Sequence, residues 1–363
     1  MHLTLFVPDL LWPDHDNTAA FDFPQQRPLA RFLGLATHFR EPLAAADSWE
    51  SVLASTLGDT TPATSLAALR LSGELLDDGT MPDTATRRLL CSDPVNLDFI
   101  QQHLVLNDLK HAPPDAHETQ AFIARLNEEF AGEGRFFASP DPTADRHWYF
   151  EPTDPNGVLP NLAATSRVVG RRIDANESRH VLGSLGLQWI NRIQMCLNDH
   201  PVNEARQMRG QPSINSVWPW GLSGPTRITM TEQTRFNRVV GQHPLLKGLC
   251  LLHRTTYDPT NLIKQSDGST LVLDTALTTA IAEDNLDGWQ SAADALIATW
   301  ITPALEQLSC GALDSLTLIS PNERVTDGWR LDKRHQGLHP ALWQRLLGRQ
   351  TRQPDLATLI QSW

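Results

Sequence analysis

The sequence predicts an α/β fold, a core of alternating strands and helices interrupted by a smaller α+β lobe. Three observations carry that expectation. Short β-prone apolar runs ending in polar or proline turns lie near both ends of the chain, at Leu3–Val7, Thr270–Leu273 and Leu316–Ile319. Helical spacing follows or separates them, most clearly from Leu286 to Leu308. The middle is irregular, with short aromatic runs among Pro-, Asn- and Gly-rich loops. Strands alternating with helices read as an α/β core, and 363 residues are enough for two lobes or one large core with an insertion.

In chain order, Leu3–Val7 is a buried strand stopped by Pro8 and Asp9, so Asp9 stands at a strand's carboxyl end, where open α/β sheets bind ligands. The plainer role for Asp9 is to cap the turn of Leu10, Leu11 and Trp12. From Phe21 to Leu57 the apolar residues recur at helical spacing (Leu29, Phe32, Leu33, then Leu43, Trp49, Val52, Leu53) and predict two amphipathic helices. Gly58–Thr64 reads as a turn, Ser65–Leu71 as a short helix and Leu76–Thr86 as irregular. Leu89–Cys91 is expected to be a strand closed by Ser92, Asp93 and Pro94, and His103–Leu106 another. Thr119–Phe130 is a helix stopped at Gly132, Glu133 and Gly134, and Arg135–Ala138 and His147–Phe150 are aromatic strands.

Ser178–Asn198 has a helical stripe through Leu182, Leu185, Trp189, Ile193 and Leu197, and Pro201 kinks it or opens the next helix, Val202–Arg209. Asn215–Trp218 is a strand, left through a turn at Trp218, Pro219, Trp220 and Gly221. Arg235–Val240 is a further element, and Leu245–Leu252 a helix entered through His243 and Pro244. Thr275–Ile281 and helices near Ala341–Leu347 and Leu356–Ile360 complete the pattern. No internal repeat or low-complexity segment is present.

The formal net charge of -12 argues against nucleic acid or an anionic membrane as a partner, since either needs a basic face. No secretory leader is evident and no apolar run reaches bilayer length, so the expected compartment is the cytoplasm. The 4 cysteines are far apart without metal-type spacing, in keeping with a reducing environment.

Asp199 to Gly224 holds the densest set of special residues. Arg206 and Arg209 lie three residues apart on one helical face, an arrangement suited to a phosphate or carboxylate, and Arg167, Arg171 and Arg172 lie upstream. The bland alternative is that Trp218 and Trp220 fill a seam while Asn203 and Asn215 tie off buried backbone groups. The candidate ligand-binding set is Asn203, Arg206, Arg209, Asn215, Trp218, Trp220 and Gly221, facing a small phosphorylated or carboxylate ligand. A protein partner is the other candidate, and the tryptophan-rich surface could also join subunits. No glycine-rich nucleotide loop is present.

His200, Pro201, Val202, Asn203, Arg206, Gly210, Asn215, Trp218, Pro219, Trp220 and Gly221 stand in an order that resembles archaeal-type cofactor-independent phosphoglycerate mutases of the alkaline phosphatase superfamily. With Val7-Pro8-Asp9 and Asp93-Pro94-Val95, nearly the whole chain resembles bacterial phosphoglycerate-mutase-like, or RpfE-type, regulatory proteins. The resemblance implies an alkaline-phosphatase-like core sheet flanked by helices, built from 1–112 and 213–363, with a cap lobe at 113–212. It also implies two divalent metals activating a Ser or Thr nucleophile, which takes several N/O ligands per ion.

The sequence departs from that pattern. Between His253 and His335 there is no histidine, and the Leu316 strand ends in Pro321-Asn322 where the family has Asp-His. Asp14-His15 and Asp199-His200 are misplaced dipeptides, and His335 and His339 read as a surface pair. Ser48, Ser51, Thr60, Thr61 and Ser65 have no nucleophile signature. The expectation is therefore no metal cofactor, with a carboxylate-only Mg²⁺ or Mn²⁺ site at Asp9, Asp274 and Asp284 as the alternative. The function expected is that of a regulatory or binding protein, with an active metal-dependent phosphomutase or phosphatase as the alternative.

Overall fold

The structure, a computed structural model, describes residues 1–44, 47–58, 65–75, 87–100, 103–141, 146–222, 234–260, 268–333 and 356–360; the side chains of 99–100 and 172–181 lie outside that description. Thr60, Thr61, the Leu76–Thr86 stretch, His335, His339 and Ala341–Leu347 fall outside the described residues.

The chain begins with strand β1 (His2–Phe6), helix α1 (Gln26–Leu35) and strand β2 (Thr37–Pro42), followed by α2 (Trp49–Leu57) and α3 (Leu66–Leu75). α2 starts on a capping box between Ser48 and Ser51 and stops at Gly58, whose φ of 112° suits a residue without Cβ. Next come β3 (Leu90–Ile100), β4 (His103–Asp108) and α4 (Ala116–Glu129), whose cap Asp115 accepts from Glu118 N at 2.8 Å. The aromatic runs form a hairpin of β5 (Gly134–Ala138) and β6 (Trp148–Pro152). Then follow α5 (Thr165–Val168), β7 (Arg172–Asp174), α6 (Ala175–Leu197, bent at Gly183), α7 (Pro201–Met208) and β8 (Ser216–Trp220). Pro201 opens α7, a position where the missing N–H costs nothing.

The last third holds β9 (Arg238–Val240), α8 (Pro244–Leu252), β10 (Thr256–Asp258), β11 (Ser269–Leu273) and α9 (Ala276–Ala282). The long apolar stripe that follows is α10 (Leu286–Leu296), a π-helical turn at Ile297–Ile301 and α11 (Thr302–Cys310), closed by Gly311 at φ 81°. Strands β12 (Ser315–Pro321) and β13 (Val325–Asp332) and a helical turn at Leu356–Ile360 end the described chain.

Two compact units result. The first comprises Met1–Ala44, Arg235–Gln242 and Thr255–Trp363. Its seven-stranded sheet runs β10-β9-β11-β1-β12-β13-β2, parallel from β10 to β12 and antiparallel at β13 and β2. The buried Trp289 centres its core, with the rings of Trp12, Phe21 and Phe23 edge-on at 6.0, 6.0 and 5.8 Å.

The second unit comprises Ala45–Thr234 and His243–Arg254. Its sheet runs β5-β6-β3-β4-β7, with β8 on β3. The units divide the chain differently from the expected 1–112, 113–212 and 213–363: residues 45–112 pack in the second unit, and so does α8, although the flanking β9 and β10 belong to the first unit's sheet. Glycines let α8 lie close on α3. A Cβ on Gly73 would stand 1.9 Å from Pro244 O, and one on Gly248 2.0 Å from Leu69 O.

Two expected strand ends are strand interiors. β3 continues through Asp93 and Pro94, and β8 through Trp218, Pro219 and Trp220, because the two segments pair with each other from Cys91↔Trp220 to Val95↔Ser216. Pro219 keeps its acceptor in use, taking Leu162 N at 2.9 Å.

Candidate functional site

The Asn203–Gly221 motif is placed by α7 and β8. Asn203 is buried; its Nδ2 donates to Leu197 O at 2.8 Å and Ile214 O at 3.0 Å, and its Oδ1 accepts Ile214 N at 2.8 Å. One carboxamide thus joins the end of α6 to the approach of β8. Asn215 clips β3 in the same way, accepting Leu97 N at 2.8 Å and donating to Leu97 O at 2.9 Å. Trp218 donates to Ala163 O at 2.8 Å and Trp220 to Asp93 Oδ2 at 2.7 Å. Gly221 adopts φ 72°, and its carbonyl accepts Ala67 N at 3.1 Å.

Both arginines of the motif are engaged by other groups of the protein. Arg206 is fully buried and donates to Pro212 O at 2.9 Å, Ala112 O at 2.6 Å and Glu118 Oε2 at 2.6 Å. Arg209 pairs with the other Glu118 oxygen and with Gln211 Oε1 at 3.0 Å. A carboxylate from α4 therefore occupies the place expected for a ligand. Upstream, Arg167 donates to Asp47 O. The tryptophans likewise face inward, Trp218 at 0% and Trp220 at 3% exposure, so they form no surface for another subunit.

A second constellation in the same unit lies around Arg70. Its guanidinium grips Asp93 with two bonds, Nη1 to Oδ2 at 2.9 Å and Nη2 to Oδ1 at 2.7 Å, while Nε donates to the Tyr149 hydroxyl at 3.0 Å. The Tyr149 hydroxyl in turn donates to Glu74 Oε2 at 2.8 Å; Ser139 Oγ also donates there at 2.7 Å, and His147 Nδ1 meets Oε1 at 2.7 Å. The Glu74 side chain has no exposure. Arg70 also lies over the rings of Tyr149 and Trp220, 4.8 and 5.3 Å from their centroids.

Burial dominates the acid–base behaviour of this network. It pushes up the Tyr149 hydroxyl and the Cys91 thiol, Arg70 working against both shifts. It also raises the Glu50 carboxyl, which accepts from Ser166 Oγ at 2.9 Å. For Arg70 burial opposes the charge, but Asp93, Cys91 and Tyr149 together outweigh it and hold the guanidinium well above its ordinary value. His243, the cap of α8, is pulled down to about 3 by burial, with His147 and Arg70 adding repulsion. Sequence reasoning passed over Arg70, Glu74, His147 and Tyr149. The available signal was a pair of charges four residues apart in the otherwise apolar run Leu66–Leu75.

The third place is the carboxyl edge of the seven-stranded sheet. Asp9 N donates to Pro321 O at 3.0 Å and Asp274 N to Phe6 O at 3.0 Å, so both carboxylate residues follow adjacent parallel strands. Asp9 adopts φ 57°, unusual for a residue with a Cβ. Asp274 Oδ1 caps α9 through Ala276 N at 3.0 Å, and Asp284 sits exposed beyond the other end of that helix. The three do not assemble: among the described residues no three His, Cys, Asp or Glu side chains are grouped so as to hold a metal ion. Asp14 and His15 are exposed, His200 caps α7, and Ser48, Ser51 and Ser65 are helix caps.

No protein-family model matches this chain, and no curated protein matches it. Among solved structures, it is similar to the cofactor-independent phosphoglycerate mutase from Thermoplasma acidophilum, at 15% identity and a TM-score of 0.40, over 93% of this chain and 92% of that one. It is also similar to the PH0037 protein from Pyrococcus horikoshii, at 10% identity and a TM-score of 0.49, over 91% of this chain and 87% of that one. No described helix is long and apolar enough to cross a membrane.

Proposed function

We propose that this chain is a phosphoglycerate-mutase-like protein that acts as a regulatory or binding protein, of the RpfE type its sequence resembles, rather than by two-metal phosphotransfer. The supporting observation is the donor set at the sheet's carboxyl edge. Asp9 and Asp274 stand there beside Pro321 and Asn322, and residues 254–333 contain no imidazole. Among the described residues, these two carboxylates are too few N/O donors to hold a pair of catalytic ions. The pairing of Arg206 and Arg209 with Glu118 weighs against a small anion bound between them.

Elemental analysis of the purified protein, with assays on 3-phosphoglycerate and aryl phosphates in Mg²⁺ and Mn²⁺, tests this reading. The expected result is no stoichiometric Mn²⁺, Zn²⁺ or Mg²⁺ and no turnover. The adjacency of Asp9 and Asp274 favours a second reading, an altered carboxylate-rich phosphomutase or phosphatase. Metal-dependent turnover that Asp9→Asn abolishes would establish that reading instead.

A further inference from the structure

Three buried polar groups of the second unit have no hydrogen-bond partner among the described residues: Ser92 Oγ, Thr119 Oγ1 and Trp148 Nε1. Ser92 and Trp148 are 0% exposed and Thr119 is 9% exposed. Native folds pair the large majority of such groups, because a buried donor or acceptor cut off from water bears its full desolvation penalty.

The topology brings all three to one face of one sheet. β3 pairs with β6 through Leu90↔Phe150 and Cys91↔Tyr149, so the next step of that register sets Ser92 opposite Trp148. Opposed residues of an antiparallel pair share a face, and alternation gives these two the face of Leu90 and Phe150 rather than that of Cys91 and Tyr149. α4 covers that face, with the Phe122 ring 6.4 Å from the ring of Trp148. Thr119 stands one turn before Phe122 on the same buried stripe of the helix. A hydroxyl from β3, an indole N–H from β6 and a hydroxyl from α4 thus enter one otherwise apolar core.

We propose that these three groups hold a single internal water molecule that joins α4 to the sheet. The indole can only donate, whereas each hydroxyl can also accept. Water serves both: it takes the indole proton and gives its own two protons to the hydroxyl oxygens, making three bonds, the usual number for a buried water. An ion finds no charge among the three groups. Thr119 follows Glu118, so the water fixes the turn of α4 that presents this carboxylate to Arg206 and Arg209.

A high-resolution crystal structure tests the site directly. The expected result is one water within about 3.2 Å of Trp148 Nε1, Ser92 Oγ and Thr119 Oγ1. Density for a larger molecule, no density, or a direct bond between the groups overturns the proposal. Urea unfolding of Ser92→Ala, Thr119→Val and the double variant tests it in solution, and Thr and Val differ little in helix propensity. A hydroxyl bonded to water is missed when removed, whereas an unpaired one is not. Each single variant should lower the folding equilibrium constant roughly three- to tenfold, and the double variant by clearly less than the product, because the two share one water. A single variant more stable than the parent, or effects that simply multiply, overturns the proposal.

Discussion

Glu50 is 3% exposed, and its nearest help comes from hydroxyls rather than a cation at bonding distance. Burial therefore raises its folded-state value above that of the unfolded chain, and the neutral acid is the form the fold prefers. Stability from this residue is complete below the unfolded value of about 4.5 and is lost as pH rises through the folded one. Glu50→Gln should stabilise the protein at pH 7, with the gain vanishing near pH 4, as read from urea midpoints. His243 has the opposite sign. Its value of about 3 lies below the unfolded 6.5, so its contribution is complete above 6.5 and is lost as pH falls toward 3. His243→Asn keeps an acceptor for Leu245 N without a titrating ring and should flatten the acid limb between pH 6.5 and 3. The two arginines on Glu118 should separate as well. Arg206→Ala takes the buried donor from Pro212 O, Ala112 O and one Glu118 oxygen at once and should cost about 3–5 kcal/mol, whereas the half-exposed Arg209→Ala should cost about 1 kcal/mol or less.

Among the elements, the contact of α3 with α8 depends on two glycines. Gly73→Ala or Gly248→Ala drives a methyl into a backbone carbonyl that cannot turn aside, and thermal unfolding should show each variant destabilised by about 2 kcal/mol or more. Gly34→Ala in α1 is the contrast. Its Cβ would meet Leu359 Cδ1 at 3.6 Å, ordinary contact, so helix propensity should leave it neutral to about 1 kcal/mol more stable. The strands that sequence patterning missed, β2, β10 and β13, share a cause. Thr-His-Phe-Arg-Glu-Pro and its companions carry too few apolar residues to show a period, and their conformation comes from the neighbours they pair with. Pro94 and Pro219 likewise read as strand ends, and only the pairing of β3 with β8 keeps the chain extended through them.

Across the whole molecule, a net charge of -12 on scattered basic residues should leave no retention on duplex DNA at physiological salt, and a mobility-shift titration checks this. The sequence by itself determined the α/β class, the buried strands β1, β11 and β12, and helices such as α4, α7 and α8, because continuous apolar runs, amphipathic periods and caps act over a few residues. It also determined that residues 254–334 hold no histidine. Only the tertiary structure decided what the polar residues do. Arg206 could have faced a ligand until Glu118 arrived from 88 positions away, and Arg70, Glu74, Asp93 and Tyr149 become one network only when α3, β3 and β6 meet. Apolar burial is written in local periodicity. The partner of a charge is fixed by which distant segments the fold brings within about 3 Å of it.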